Sequence, residues 1–152
     1  MTRDRITAER RSANRARIRG RDTGPELLIR RALHARGFRY RLHAADLPGR
    51  PDLVFPRWRA AVFVHGCFWH AHGCHMSARP TANAAFWAVK LARNRERDEA
   101  SRAALLAAGW RLLTVWKCAL RGRGRLGVEA FAEACDCWLR SDDRCHDLCG
   151  TG

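Results

Sequence analysis

The stretch that most constrains this chain is Val62-Phe63-Val64-His65-Gly66-Cys67-Phe68-Trp69-His70-Ala71-His72-Gly73-Cys74-His75. An apolar run with the character of a buried strand ends at once in two cysteines, four histidines and two adjacent aromatics. Few globular needs explain that mixture. Thiolate and imidazole at short spacing suit a transition metal, most often zinc. Phe68 and Trp69, wedged between candidate ligands, point to side chains held out on a rigid knuckle. Ten residues upstream of the run, Pro51-Asp52 places a carboxylate at the start of another apolar run.

Composition narrows the setting. A chain of 152 residues, 47% of them hydrophobic, is long enough for one domain with its own core and is not a disordered polymer. Its 29 Lys+Arg against 15 Asp+Glu give a net charge of +14. Such an excess points to a polyanionic partner, nucleic acid first; the bland alternative is an arginine bias of a GC-rich genome. A membrane partner is not expected, because the chain has neither a long apolar run nor a signal-peptide core, so the expected location is cytoplasmic. In that compartment seven cysteines do not read as a disulfide framework. Cys67, Cys74 and Cys118 lie in or beside motifs and read as metal ligands, whereas Cys135, Cys137, Cys145 and Cys149 read as half-buried or idle thiols.

Three segments follow from the charge and apolar patterning. Residues 1–22 carry eight arginines, Arg15 and Arg17 among them, with Ile6 and Ile18 the only bulky aliphatics. They read as a basic arm for DNA, with a frayed terminus as the alternative. Residues 23–140 read as the folded domain and residues 141–152 as a loose polar tail. Thr23-Gly24-Pro25-Glu26 is a capping box opening a helix to about His34, with Leu27, Leu28, Ala32 and Leu33 on its buried face and Gly37 as its stop. Glu26 therefore has a local capping role available as well as a metal-directed one. Residues 38–42 alternate with period two and predict a strand. Residues 51–55 and 60–65 predict an antiparallel hairpin turned at Pro56, and residues 83–108 a long helix with a basic face. The apolar positions of that helix are Phe86, Val89, Leu91, Ala103, Leu105 and Leu106. Residues 110–116 predict a further strand with Cys118 just beyond it, and residues 126–139 a last helix. Helix, three strands, helix, strand, helix describes an α/β fold: a mixed β-sheet flanked by helices.

Asp52 alone would pass for a strand-edge aspartate. It opens an apolar strand, however, and the hairpin brings it beside the strand ending at His65. A carboxylate with a neighbouring backbone carbonyl can hold Mg²⁺, which polarises a scissile phosphate and activates water. Proline-aspartate followed by a second strand is the outline of the PD-(D/E)xK, restriction-endonuclease-like core, although the second acid and the lysine of that outline are missing here.

The segments Leu47-Pro48-Gly49-Arg50-Pro51-Asp52, Val64-His65-Gly66-Cys67-Phe68-Trp69-His70, Phe86-Trp87, residues 94–98 and Trp116-Lys117-Cys118-Ala119-Leu120-Arg121-Gly122 closely resemble the very short patch repair (Vsr) endonucleases. The resemblance covers residues 11–138. It implies a Mg²⁺-dependent enzyme that nicks one DNA strand 5′ of the thymine in a T:G mismatch left by deamination of 5-methylcytosine. Asp52 matches the aspartate that bridges two catalytic Mg²⁺ ions, and Val64 stands where the family offers a backbone carbonyl to the metal. His70 matches the histidine at the reactive phosphate, as general base or water positioner. His65, Glu26 and Asp98 match outer residues that hold water around the metals. Cys67, His72, Cys74 and Cys118 match the ligands of a structural zinc, and His75 is left out of that set. Phe68, Trp69 and Trp87 match side chains that push into the base stack; for aromatics in general, core packing is the competing expectation. Trp58, Trp110, Trp116 and Trp138 are left to core or surface. The resemblance also implies a monomer acting on double-stranded DNA, with a cytosine-5 methyltransferase and mismatch-repair proteins as functional partners. Two rivals remain at this point: a zinc-stabilised DNA-binding module that does not cut, and a restriction-type nuclease acting on undamaged sites.

Overall fold

The two most apolar runs of the chain lie side by side. In a computed structural model, which describes residues 24–151 except Ala71 and Met76, together with Thr7, Glu9, Arg10 and Ala13, strand β3 (Ala60–His65) pairs in parallel with β4 (Arg111–Trp116). Arg15, Arg17, Thr23 and most of the expected basic arm lie outside the described residues. Before β3 come helix α1 (Gly24–Ala35), strand β1 (Arg41–Leu42) and strand β2 (Leu53–Phe55). Helix α2 (Ala84–Ala107) links β3 to β4, and a short helix α3 (Lys117–Leu120), helix α4 (Val128–Leu139) and strand β5 (Cys145–Leu148) complete the order. The sheet runs β1-β2-β3-β4-β5, antiparallel across the first two pairs and parallel across the last two. This is the mixed α/β sheet expected.

Alternation along the strands sends successive side chains to opposite faces. Ala60, Val62, Leu113 and Val115 join Ile29 and Leu33 of α1 and Phe131, Cys135, Trp138 and Leu139 of α4 in the larger core cluster. Ala61 and Leu112 meet Leu105 of α2 on the other face. The β2–β3 hairpin turns through a 3₁₀ segment at Pro56–Trp58, and Arg59 takes the left-handed backbone (φ 46°) that brings the chain back. Gly37 (φ 90°) closes α1, where the Phe38 and Gly37 amides donate to the Leu33 and His34 carbonyls.

Four expectations change. The buried face of α1 is Glu26, Ile29 and Leu33, at i, i+3 and i+7, while Leu27 is exposed. The strand expected over 38–42 keeps only Arg41–Leu42, because Phe38 turns into the core instead of the ladder. Phe86 and Val89, expected on the packed side of the long helix, are exposed at 59% and 54%. Residues 141–152, expected to be a loose tail, include β5, whose Leu148 is buried and whose ladder on β4 satisfies the edge of the sheet. Among the described residues no helix is long and apolar enough to cross a membrane.

Candidate active site and metal centre

Parallel pairing aligns His65 with Trp116, so the chain leaves β3 and β4 at the same end of the sheet. Two residues beyond each partner stand Cys67 and Cys118. Register therefore closes a gap of 51 positions that spacing alone leaves open. The ligand atoms of Cys67, His72, Cys74 and Cys118 all lie within 4.8 Å of one another and could hold a metal ion. Two backbone amides face the sulfurs: Cys118 N–H donates to Cys67 Sγ (3.3 Å) and Gly150 N–H to Cys118 Sγ (3.3 Å). Such donors stabilise thiolate charge and orient the ligands. Burial pushes the Cys67 thiol up to about 12, with Cys74 and Cys118 adding to the rise, so a thiolate here needs a positive partner. His72 stacks on Trp116 with ring centres 4.1 Å apart. The described geometry leaves His75 out of this group.

Next to this cluster, His65 and His70 stack at 3.8 Å with rings 3° from parallel, and His70 Nδ1 lies 2.5 Å from Asp98 Oδ2. A carboxylate only accepts, so His70 donates through Nδ1 and turns Nε2 away from Asp98. Burial, with His70 next to it, brings His65 down to about 4 against the pull of Asp98. Its ring is neutral at physiological pH. Trp116 stands edge-on to His65 at 5.3 Å while stacking on His72, and so forms a wall shared by the histidine pair and the Cys/His cluster.

Asp52 belongs to a third group with Glu26 and His43, whose ligand atoms also fall within 4.8 Å of one another. The Val64 N–H donates to Asp52 Oδ2 at 2.7 Å, tying the carboxylate to the residue before His65. Glu26 is only 4% exposed and accepts from Arg30 Nη2 at 3.2 Å. Desolvation raises the Asp52 carboxyl from 3.8 to about 6, with Glu26 adding to the rise and the Val64 amide, His43 and Arg30 opposing it. Glu26 thus points into the site, although its first-turn position also suits a cap.

On the outer side Phe68, Trp69 and Trp87 form one aromatic cluster, with centroids 5.1, 5.3 and 6.0 Å apart, and Phe86 extends it at 5.4 Å from Trp87. Lys90 Nζ lies over Trp69, Phe86 and Trp87 at 5.5, 5.8 and 5.6 Å. Asn94 Nδ2 donates to the Trp69 carbonyl (2.9 Å), pinning the knuckle to α2.

Sequence reasoning missed His43, Arg30 and the wall made by Trp116. His43 was legible only through register: β1 pairs Leu42 with Leu53, which sets residue 43 opposite Asp52. Arg30 follows Glu26 by four residues on a helix, a spacing that signals an ion pair but not its destination.

The model of the family described as "DNA mismatch endonuclease Vsr" matches residues 3–76. The chain is 47% identical to type II nicking enzyme V.XorIIP of Xanthomonas oryzae pv. oryzae over 123 residues, 81% of this chain and 90% of that protein. It is 43% identical to DNA mismatch endonuclease Vsr of Escherichia coli over 129 residues, 85% of this chain and 83% of that one. Against type II nicking enzyme V.NmeAIP of Neisseria meningitidis it is 37% identical over 120 residues, covering 79% and 86% of the two chains. A mixed sheet carrying acids and paired histidines at one strand end, in a chain so similar to these proteins, defines an endonuclease. The chain belongs to the Vsr DNA mismatch endonuclease family.

Proposed function

We propose that this endonuclease is Mg²⁺-dependent and strand-specific, cleaving the phosphodiester 5′ of the thymine in a T:G mismatch and leaving 3′-hydroxyl and 5′-phosphate ends. One observation carries the reading: Asp52, tied to the Val64 amide, and the His65–His70–Asp98 group stand at the same end of the β2–β3 hairpin, and the knuckle that carries His70 bears a partly exposed aromatic cluster. Oxygen donors suit Mg²⁺, and Asp52 with the Val64 carbonyl would hold it. When bound, Mg²⁺ neutralises charge on the scissile phosphate and makes water a better nucleophile. Asp98 fixes the ring of His70, whose Nε2 then takes up a proton or orients the attacking water. His65, neutral and stacked on His70, shields that ring from solvent, and with Glu26 and Asp98 lines the water around the phosphate. Phe68, Trp69 and Trp87 act as the wedge; opening a base step costs a few kcal/mol, and less at a mismatch, which favours T:G over a sound pair.

Three thiols and an imidazole fit zinc, not Mg²⁺, so Cys67, His72, Cys74 and Cys118 would hold a structural Zn²⁺. Its work is to join the knuckle to the end of β4. Double-stranded DNA carrying T:G is the expected substrate, met by Arg15 and Arg17 of the arm as well. A cognate cytosine methyltransferase would set the flanking bases, and one monomer carries all the residues named.

The name of the Escherichia coli relative supports a mismatched substrate; cutting at undamaged sites is the alternative to be separated from it. A labelled duplex distinguishes them. The expected result is one nick 5′ of T in the T:G duplex with Mg²⁺, none with EDTA and none in the matched duplex. Equal cutting of matched DNA sinks the mismatch assignment, and binding without any cut sinks the nuclease.

A further inference from the structure

His43 and Arg30 complete the Asp52 side of the site in a way that the proposed metal chemistry does not use. Arg30 is 11% exposed and sits on α1 four residues after Glu26; its Nη2 lies 3.2 Å from Glu26 Oε2 and 3.0 Å from His43 Nε2. The Tyr40 hydroxyl donates to the Arg30 carbonyl at 3.0 Å, fastening this part of α1 to the approach of β1. His43 occupies the position after β1 with a left-handed backbone, φ 45°, a conformation that costs a non-glycine residue energy and is kept where neighbours enforce it. Its amide donates to the Asp52 carbonyl (3.1 Å) and the Ala44 amide to the Pro51 carbonyl (3.3 Å), so the ring is delivered directly beside Asp52.

The chemistry of the donors then selects the ring's tautomer. A guanidinium has donors only, so His43 Nε2 must accept from Arg30. The ring proton of the neutral imidazole is therefore on Nδ1, which faces Asp52 Oδ1 at 4.0 Å. That gap is about 1 Å longer than a direct hydrogen bond, a difference within reach of a small side-chain movement. With Nε2 engaged by Arg30 and Nδ1 protonated, neither ring nitrogen is available to a cation, although distance alone groups His43 with Glu26 and Asp52 as possible ligands. Asp52 remains for the metal, and Glu26 for the water around it.

We propose that Arg30 and His43 are positioning residues: Arg30 holds His43 as its Nδ1–H tautomer and holds the Glu26 carboxylate, and His43 in turn directs a hydrogen-bond donor at Asp52, fixing the direction of both acids. This rests on the assignment of Asp52 and Glu26 to the nuclease centre.

The role has a distinctive chemical consequence. What His43 supplies is one acceptor towards Arg30 and one donor towards Asp52, and a glutamine amide supplies the same pair. His43→Gln should keep kcat within about threefold of wild type, whereas His43→Leu should lower it by about 10–100-fold, the usual cost of losing an outer-shell partner, with KM for the duplex little changed. Arg30→Met should resemble His43→Leu in kcat. Independently of activity, long-range ¹H–¹⁵N spectra of the full-length wild-type protein should show His43 with a bare Nε2 and a protonated Nδ1, and Arg30→Met should lose that single tautomer. A His43 found with its proton on Nε2, or a glutamine variant as slow as the leucine one, overturns the proposal. Wild-type protein that fails to nick any duplex removes the nuclease assignment instead, while the spectra still decide the tautomer.

Discussion

Asp52 and His65 carry opposite electrostatic signatures within one strand end. Burial raises the Asp52 carboxyl from 3.8 to about 6, so between those values the folded state holds a proton that the unfolded chain has released. Stability from this group is thus present below the unfolded value and lost as pH rises through the window. Above it the cost stays in full, on the order of 2–3 kcal/mol at about 1.4 kcal/mol per pKa unit. His65, brought down from 6.5 to about 4, acts in the other sense: as pH falls below 6.5 the unfolded chain takes up a proton that the folded ring refuses. A single substitution separates the two. In EDTA, Asp52→Asn should be more stable than wild type by ~2 kcal/mol near pH 8, with the gain vanishing near pH 4, and with Mg²⁺ supplied it should no longer nick. Urea titrations at the two pH values measure this, and a variant less stable than wild type at the higher pH contradicts the desolvated carboxylate. At this scale the groups proposed for catalysis are ones whose charged forms the folded environment disfavours.

At the scale of elements, the C-terminal strand is what the polar tail hides. Its sequence, Cys145-His146-Asp147-Leu148, has one aliphatic residue and no alternation, so nothing local announces β5. Pairing with the parallel edge of β4 supplies the reason, because that edge would otherwise expose unpaired backbone. Beyond β5 the chain packs so tightly on the Cys/His cluster that a Cβ on Gly150 would lie 2.3 Å from the Cys118 carbonyl oxygen and 2.7 Å from that of Gly124. Gly150→Ala should therefore push the segment away, remove the amide from Cys118 Sγ and destabilise the fold by about 1–3 kcal/mol, the usual range for overpacking. Thermal unfolding together with the zinc content of the purified variant checks it; an unchanged melting temperature and full metal content would show that the segment does not brace the cluster. The extents of helices α1, α2 and α4 were legible in local spacing and in their stops, whereas neither α2 nor α4 starts on a side-chain cap. The two-residue β1 was only partly so, since Phe38 is drawn into the core by Phe55 and Trp58.

At the scale of the whole molecule, the net charge of +14 predicts binding dominated by phosphate contacts and steep in salt. Each phosphate-contacting arginine contributes about 0.9 to the slope of log K against log salt, so changing both Arg15 and Arg17 to alanine should flatten that slope by about 2 for matched and T:G duplexes alike. Fluorescence anisotropy across a salt series reads it out. A slope equal to wild type would take both residues out of the DNA contact. Removing an aromatic of the proposed wedge should do the reverse: Trp69→Ala should leave the salt slope as it is and erase the preference for the mismatched duplex, because an apolar wedge contacts bases and not phosphates.

The residue types and local spacing of this chain determined by themselves that an apolar hairpin presents Asp52 near His65 and that cysteines and histidines gather on a knuckle after a strand, and its charge made a polyanionic partner the first expectation. Those properties are written within a few residues of one another or in the composition as a whole. Only the tertiary structure decided which groups meet across long separations. Parallel register brings Cys118 to Cys67, the first helix turns Glu26 inward instead of leaving it as a cap alone, and the end of β1 sets His43 between Glu26 and Asp52. The tail became a strand because an edge elsewhere needed it. Register and edge pairing depend on the whole sheet, and no short window of sequence contains them.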